Sequence, residues 1–159
     1  MRGKAVTESG AASSSFPFSC PVEVRWSDID AMDHVNNAVL VTYLEVARTK
    51  MWDEHFELTS SARDVPFIVA RIAVDFRSPI RFGDEVVVRI AVGSLGRTSF
   101  TLRYRVEASG RLAAEAESVQ VVFDYAAHRP VPLDEAARAR LAALTAAAPR
   151  PGATKRSSR

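Results

Sequence analysis

Residues 26–48 read WSDIDAMDHVNNAVLVTYLEVAR, and the head of that run sets Asp28, Asp30, Asp33, His34, Asn36 and Asn37 close together. Aspartate carboxylates are ionised at neutral pH and serve as nucleophiles or general bases. No Pro or Gly interrupts the apolar-periodic segment that follows, so the polar cluster stands at the start of a helix. Asn is a favoured N-cap, because its short side-chain oxygen accepts from backbone N–H groups left unpaired in the first turn. The remaining N–H groups and the positive end of the helix dipole form a place where a developing oxyanion is stabilised. A carboxylate beside such a place is the raw material for acyl-group chemistry.

Spacing alone leaves most of these side chains two roles. Asp30 fits either a reacting carboxylate or a loop Asp that closes a turn on its own backbone. Two carboxylates one residue apart repel if they converge, but on extended backbone they point to opposite faces, and Asp28 is then the residue that orders the loop. His34 is a structural hydrogen-bonding group or a donor to substrate. Glu45 and Arg48, three apart, can pair on one face of the helix. His55 and His128 stand outside the cluster and read as surface residues.

The elements that must position this cluster follow from periodicity. Val22, Val24 and Trp26 alternate with Glu23 and Arg25, which predicts a half-buried strand leading into the loop. The helix is predicted over residues 37–55, about 28 Å long at about 1.5 Å per residue. Its apolar positions, among them Leu40, Tyr43, Leu44, Ala47, Met51 and Trp52, are numerous enough to expect cover around most of its circumference. Residues 58–65 read as an irregular connection. Strands are predicted at 67–76, 85–92, 100–107 and 111–125, separated by Gly-containing turns that imply antiparallel pairing. An Ala-rich helix is expected over 133–148, before Pro149 and Pro151. The pattern as a whole is α+β, an antiparallel sheet with a long helix on one face.

Length and composition bound the rest. At 159 residues, 47% of them apolar, the chain has material for one domain and one core. The net charge of +2 comes from the ends: Arg150, Lys155, Arg156 and Arg159 carry no acid beside them, and the body is slightly acidic. Nucleic acid is therefore not an expected partner. Residues 1–16 read as a flexible leader, 17–130 as the folded domain, 131–148 as a terminal helix and 149–159 as a disordered basic tail. Cys20 is the sole cysteine, so neither an internal disulfide nor a cysteine metal cluster is possible. No apolar run approaches the roughly 20 residues a bilayer needs, and the N-terminus lacks the apolar core of a signal peptide. A cytoplasmic protein is expected. No phosphate-binding Gly-rich loop and no HExxH or other metal spacing occurs, so cofactor-free and metal-free chemistry is expected.

The ordered run D-x-D-A-M-x-H-V-N-N, continued by Tyr43, Glu45 and Arg48, resembles the signature of the 4-hydroxybenzoyl-CoA thioesterase family over roughly residues 20–125. The resemblance implies the hotdog fold, a five-stranded antiparallel sheet wrapped around a long central helix, and a homodimer or homotetramer of such subunits. It implies hydrolysis of an acyl-CoA to a carboxylic acid and CoA. Asp30 takes the place of the carboxylate that attacks the thioester or activates water, His34 that of a substrate-orienting group, and Asn37 supplies the backbone oxyanion donor. Glu45 is a second candidate, since some related enzymes carry their acid on the central helix. Arg81, Arg97, Thr98 and Ser99, with Arg77, stand where CoA phosphates could be met across a subunit interface. Asp33 departs from the family's usual Gly and Leu40 from its usual Tyr; the first bears on loop geometry, the second on the shape of the acyl pocket. The neighbouring readings are an acyl-carrier-protein thioesterase and a non-catalytic acyl-CoA-binding protein.

Overall fold

The computed structural model describes residues 15–56 and 66–145. The expected leader up to residue 14, the 58–65 connection, the end of the expected terminal helix and the basic tail lie outside the described residues.

The elements follow in the order β1 (Phe18–Val22), a 3-10 turn (Trp26–Asp28), α1 (Asn37–Phe56), β2 (Phe67–Phe76), β3 (Val86–Leu95), β4 (Ser99–Ala108), β5 (Arg111–Asp124), β6 (Arg129–Pro130) and α2 (Glu135–Ala143). Strand order is β1-β3-β4-β5-β2, every pairing is antiparallel, and β6 is a short addition to β5 that periodicity did not announce. Alternation places Val86, Val88, Ile90 and Val92 of β3, with Phe100, Leu102, Tyr104 and Val106 of β4, on the buried face. Against them α1 buries Leu40, Tyr43, Leu44, Ala47, Met51 and Trp52. That is one stripe recurring at three and four residues, narrower than the expected cover. Val46, on the opposite face, is exposed.

The far end of α1 is fixed by aromatics. Trp52, Phe56, Phe67 and Phe100 meet at ring separations of 4.9 to 5.9 Å. α2 packs nearby through the buried Leu141, with the Arg140 guanidinium 5.8 Å from the Phe56 ring centre. It is shorter than expected within the described residues, since the flanking chain pairs elsewhere: Leu133 N–H donates to the Arg97 carbonyl (2.9 Å), and Val92 N–H donates to that of Leu144 (2.7 Å).

The first strand also differs from expectation. β1 ends at Val22, and Trp26 is 73% exposed, edge-on to Phe82 at 5.3 Å. The cause is local. The Asp28 carboxylate accepts the Arg25 N–H at 2.9 Å while Asp28 N–H returns to the Arg25 carbonyl at 3.0 Å, and the chain coils instead of continuing the strand.

Candidate active site

Asp28 is where the site's geometry begins. Its side chain is 1% exposed and accepts from Arg25 Nη2 at 2.8 Å, Arg25 Nε at 3.1 Å and the Tyr43 hydroxyl at 2.6 Å. Burial pushes this carboxyl up, but the hydrogen bonds from Arg25 and Tyr43 and the guanidinium charge outweigh it and hold Asp28 below its ordinary value. Burial first, then the bond to Asp28, pushes the Tyr43 hydroxyl well above its ordinary value. It is a donor throughout the neutral range.

From Asp28 the chain makes a small hairpin. Asn36 N–H donates to the Asp28 carbonyl (2.9 Å), Ile29 bridges Val35, and Asp30 N–H donates to the His34 carbonyl (2.8 Å). At its tip Asp30 Oδ1 accepts the Met32 N–H at 2.8 Å, and the Asp30 carbonyl accepts that of Asp33 at 3.1 Å. Asp33 has φ 61, the left-handed conformation a Gly would adopt freely and Asp tolerates. Asp30 thus makes the turn bond its loop reading anticipated, and it lies directly across the turn from His34.

The hairpin delivers the chain to α1. Asn36 is the cap: its Oδ1 accepts the Ala38 N–H at 2.8 Å and its carbonyl accepts that of Leu40 at 3.0 Å. Among the described residues no acceptor takes the N–H of Asn37, the first helical residue. A cavity of about 290 Å³ opens beside it, walled by His34, Asn37 and Leu40 on one side and by Phe76, Arg77, Ser78 and Ile80 on the other. A larger hollow of about 690 Å³, beside Glu23, Lys50 and Phe82, contains none of the motif's polar residues; chemistry, not size, selects the smaller one.

His34 and Asn37 therefore share one cavity, with Asp30 across the turn but outside the wall. Leu40, 3% exposed, forms part of that wall and of the core. Glu45 is exposed and off the cavity, and the anticipated Glu45–Arg48 pair is not made: the Arg48 guanidinium instead donates to the Tyr104 hydroxyl at 3.4 Å. Arg77 is already held by Glu115 at 3.1 Å and Asp75 at 3.8 Å. Arg81 is exposed just past Ile80.

Arg97, Thr98 and Ser99 do not join this site within one chain. Ser99 lies opposite Val121, which faces Ile68 at the opposite end of β2 from Phe76. Strand rise over that interval is roughly 3.3 Å per residue, so the turn is on the order of 25–30 Å away. Tyr43, Phe76, Ser78 and Ile80 were not singled out as site residues in the sequence. Ser78 and Ile80 flank Pro79, whose break in the strand pattern was the available signal.

A layered sheet against one long helix, with a capped but incompletely bonded helix start at a cavity, defines the hotdog class. The model of the thioesterase-like superfamily matches residues 24–141. The chain belongs to that superfamily and is, by that membership, a thioester hydrolase. It is 33% identical over 110 residues to the acyl-CoA thioester hydrolase YbgC of Escherichia coli O157:H7, spanning 67% of this chain and 82% of that protein. The long-chain acyl-CoA thioesterase FadM of Escherichia coli K12 is 27% identical over 127 residues, 76% of this chain and 93% of that one. Among solved structures, a thioesterase from Thermus thermophilus, complexed with coenzyme A and Zn, superposes with TM-score 0.72 at 40% identity, covering 82% of this chain and 95% of that one. Among the described residues no three His, Cys, Asp or Glu side chains are grouped to hold a metal ion, and no helix is long and apolar enough to cross a membrane.

Proposed function

We propose that the chain hydrolyses acyl-CoA thioesters to a carboxylic acid and free CoA. The observation that carries this reading is the uncommitted N–H of Asn37 at the start of α1, in a residue that lines one cavity together with His34. The thioester carbonyl lies with its oxygen toward that N–H, where the helix start stabilises the charge that develops as the carbonyl becomes tetrahedral. Asp30 either takes a proton from a water and directs it onto the carbonyl carbon or attacks that carbon itself. The bond to sulfur breaks to release CoA thiolate, which takes up a proton. On the second route water then hydrolyses the Asp30–acyl anhydride, freeing the acid and restoring the carboxylate. His34 orients the acyl group, and Leu40 gives the cavity an apolar floor. None of these steps draws on a cofactor.

The working unit is a homo-oligomer, a dimer or a pair of dimers. β2 is an edge strand, and Val69, Ile72 and Phe76 are 36–48% exposed along it. Such an edge invites pairing. Two copies joined antiparallel through β2 bring the Phe76 end of one beside the Phe67 end of the other, and so bring Arg97, Thr98 and Ser99 of one copy toward the cavity of its neighbour. There they meet CoA phosphates, with Arg81 on the cavity's own side.

A carrier-protein thioester would use the same cavity but needs a positive rim. The pairing of Arg77 with Glu115 and Asp75 at the lip favours the CoA ester. Comparing kcat/KM for one acyl group carried by CoA and by an acyl carrier protein decides this: preference for the CoA ester is expected, and hydrolysis of the carrier ester alone would overturn it. The site of action is the cytoplasm, where acyl-CoA is made and used.

A further inference from the structure

Asp28 is the one buried acid among the described residues, and it does not line the cavity. Its side chain is tied to Tyr43, less than two turns into α1, while its own carbonyl is tied to Asn36, which caps that helix. One residue therefore grips the helix at two heights. Two positions farther along stands Asp30, whose N–H is bonded to the His34 carbonyl. We propose that Asp28, held by Tyr43 from inside and Arg25 from outside, is a positioning residue that sets the distance between the Asp30 carboxylate and the N–H groups opening α1.

The chemistry of the three residues fits the task. Tyr43 is 2% exposed, so its hydroxyl needs a fixed partner, and Asp28 supplies it. The guanidinium of Arg25 closes a charge-assisted fork on the same carboxylate from the solvent side. A buried carboxylate with this many donors has one orientation, and the backbone on either side of it inherits that orientation. Because the reacting groups hang from opposite ends of the hairpin that Asp28 closes, a shift of about 1 Å there can cost up to about 10²-fold in rate. The inference rests on the proposed hydrolysis for its catalytic consequence, not for its geometry.

Tyr43→Phe tests it, since it keeps the ring and removes only the donor. Two readouts are taken: kcat and KM with an acyl-CoA that wild type turns over, and hydrogen exchange of the Asn36 amide. The expected result is a fall in kcat of about 10-fold or more, KM within about 2-fold, and Asn36 exchange at least about 10-fold faster in a folded protein. Adding Tyr43→Phe to Asp28→Asn is expected to cost little more than Asp28→Asn alone, because that change already weakens the Tyr43 bond along with the Arg25 fork. A kcat within about 2-fold and unchanged exchange overturn the inference. So does activity that falls only in step with the folded fraction, which marks a merely structural role. If wild type turns over no thioester, the hydrolytic reading fails before any variant is made, and Asn36 exchange alone decides the geometric claim.

Discussion

Val35 N–H donates to the Ile80 carbonyl at 2.8 Å, and this bond joins the two segments that wall the cavity. One is the hairpin that ends at the start of α1; the other leads from β2 toward β3. The oxyanion role of Asn37 belongs to its backbone, which gives a sharp substitution. Proline is accommodated at the first helical position, where its fixed φ suits the helix, and the residue before it must be extended, as a cap is. Asn37→Pro is expected to fold and to lose about 10²- to 10³-fold in kcat, whereas Asn37→Ala stays within about 3-fold. Equal rates for the two variants would move the oxyanion donor elsewhere.

Asp33 at φ 61 sets a second expectation. Asp33→Gly removes the left-handed penalty but adds freedom to the unfolded chain, so its stability should stay within about 1 kcal/mol of wild type. Asp33→Val puts a β-branched residue where it fits poorly and should cost about 1–2 kcal/mol. Urea denaturation of both variants checks this; a neutral Val would show that the turn relaxes out of the left-handed region.

The loop and cap were legible because their chemistry is local. An Asn before an apolar run caps, and an Asp in a Gly position takes positive φ. Alternation likewise located β3 and β4, while apolar β-branched and aromatic composition marked β2 and the preceding Gly-containing turn marked β5. What spacing could not supply was pairing over distance. Tyr43 lies fifteen residues from Asp28 and looked like one more core residue. Arg48 was within reach of Glu45, yet it found Tyr104 on β4. β1 was placed too far along the chain, from residue 21 through Trp26 where the alternation runs, whereas it spans Phe18–Val22 and the Asp28 carboxylate has already turned the backbone at Arg25. The pairing of β2 with β5 across the intervening hairpins has no short-range signal at all.

The turn at residues 96–99 is expected to govern CoA affinity. Its Gly96, Arg97 and Thr98 carbonyls accept from Arg138 Nη2, Leu133 N–H and Val122 N–H respectively, so it is braced from behind. A Cβ on Gly96 would meet the Ser99 carbonyl oxygen at 2.9 Å. Gly96→Ala should therefore shift the turn and raise KM for an acyl-CoA about 5-fold or more. With the matching acyl-pantetheine, which lacks the nucleotide phosphates, KM should change less than about 2-fold. Equal effects on both substrates would remove the turn from phosphate recognition.

Acid stability follows from three carboxyls held below their ordinary values. In Asp28 burial is outweighed by bonds from Arg25 and Tyr43; in Asp84 the Arg81 N–H leads, against burial; in Glu107 burial is outweighed by Arg105 and Arg89. The unfolded chain, with carboxyl values near 4, takes up protons first as pH falls. The stability these groups contribute is complete above that range and is lost as pH drops through their lower folded values. The urea midpoint should hold from pH 7 to about 5 and fall steeply below about 4, less steeply in Asp84→Asn. A midpoint independent of pH down to 3 would contradict these ionisation states.

The most direct measurement is CoA release from short, medium, long and aromatic acyl-CoA esters by wild type beside Asp30→Asn. Wild type should turn over at least one class. The variant, folded to the same extent, should lose at least about 10²-fold in kcat, the scale of removing an acid–base or nucleophilic group. Retained activity in Asp30→Asn would contradict the role given to Asp30 and turn attention to Glu45; binding of the esters without any CoA release by wild type would contradict hydrolysis itself.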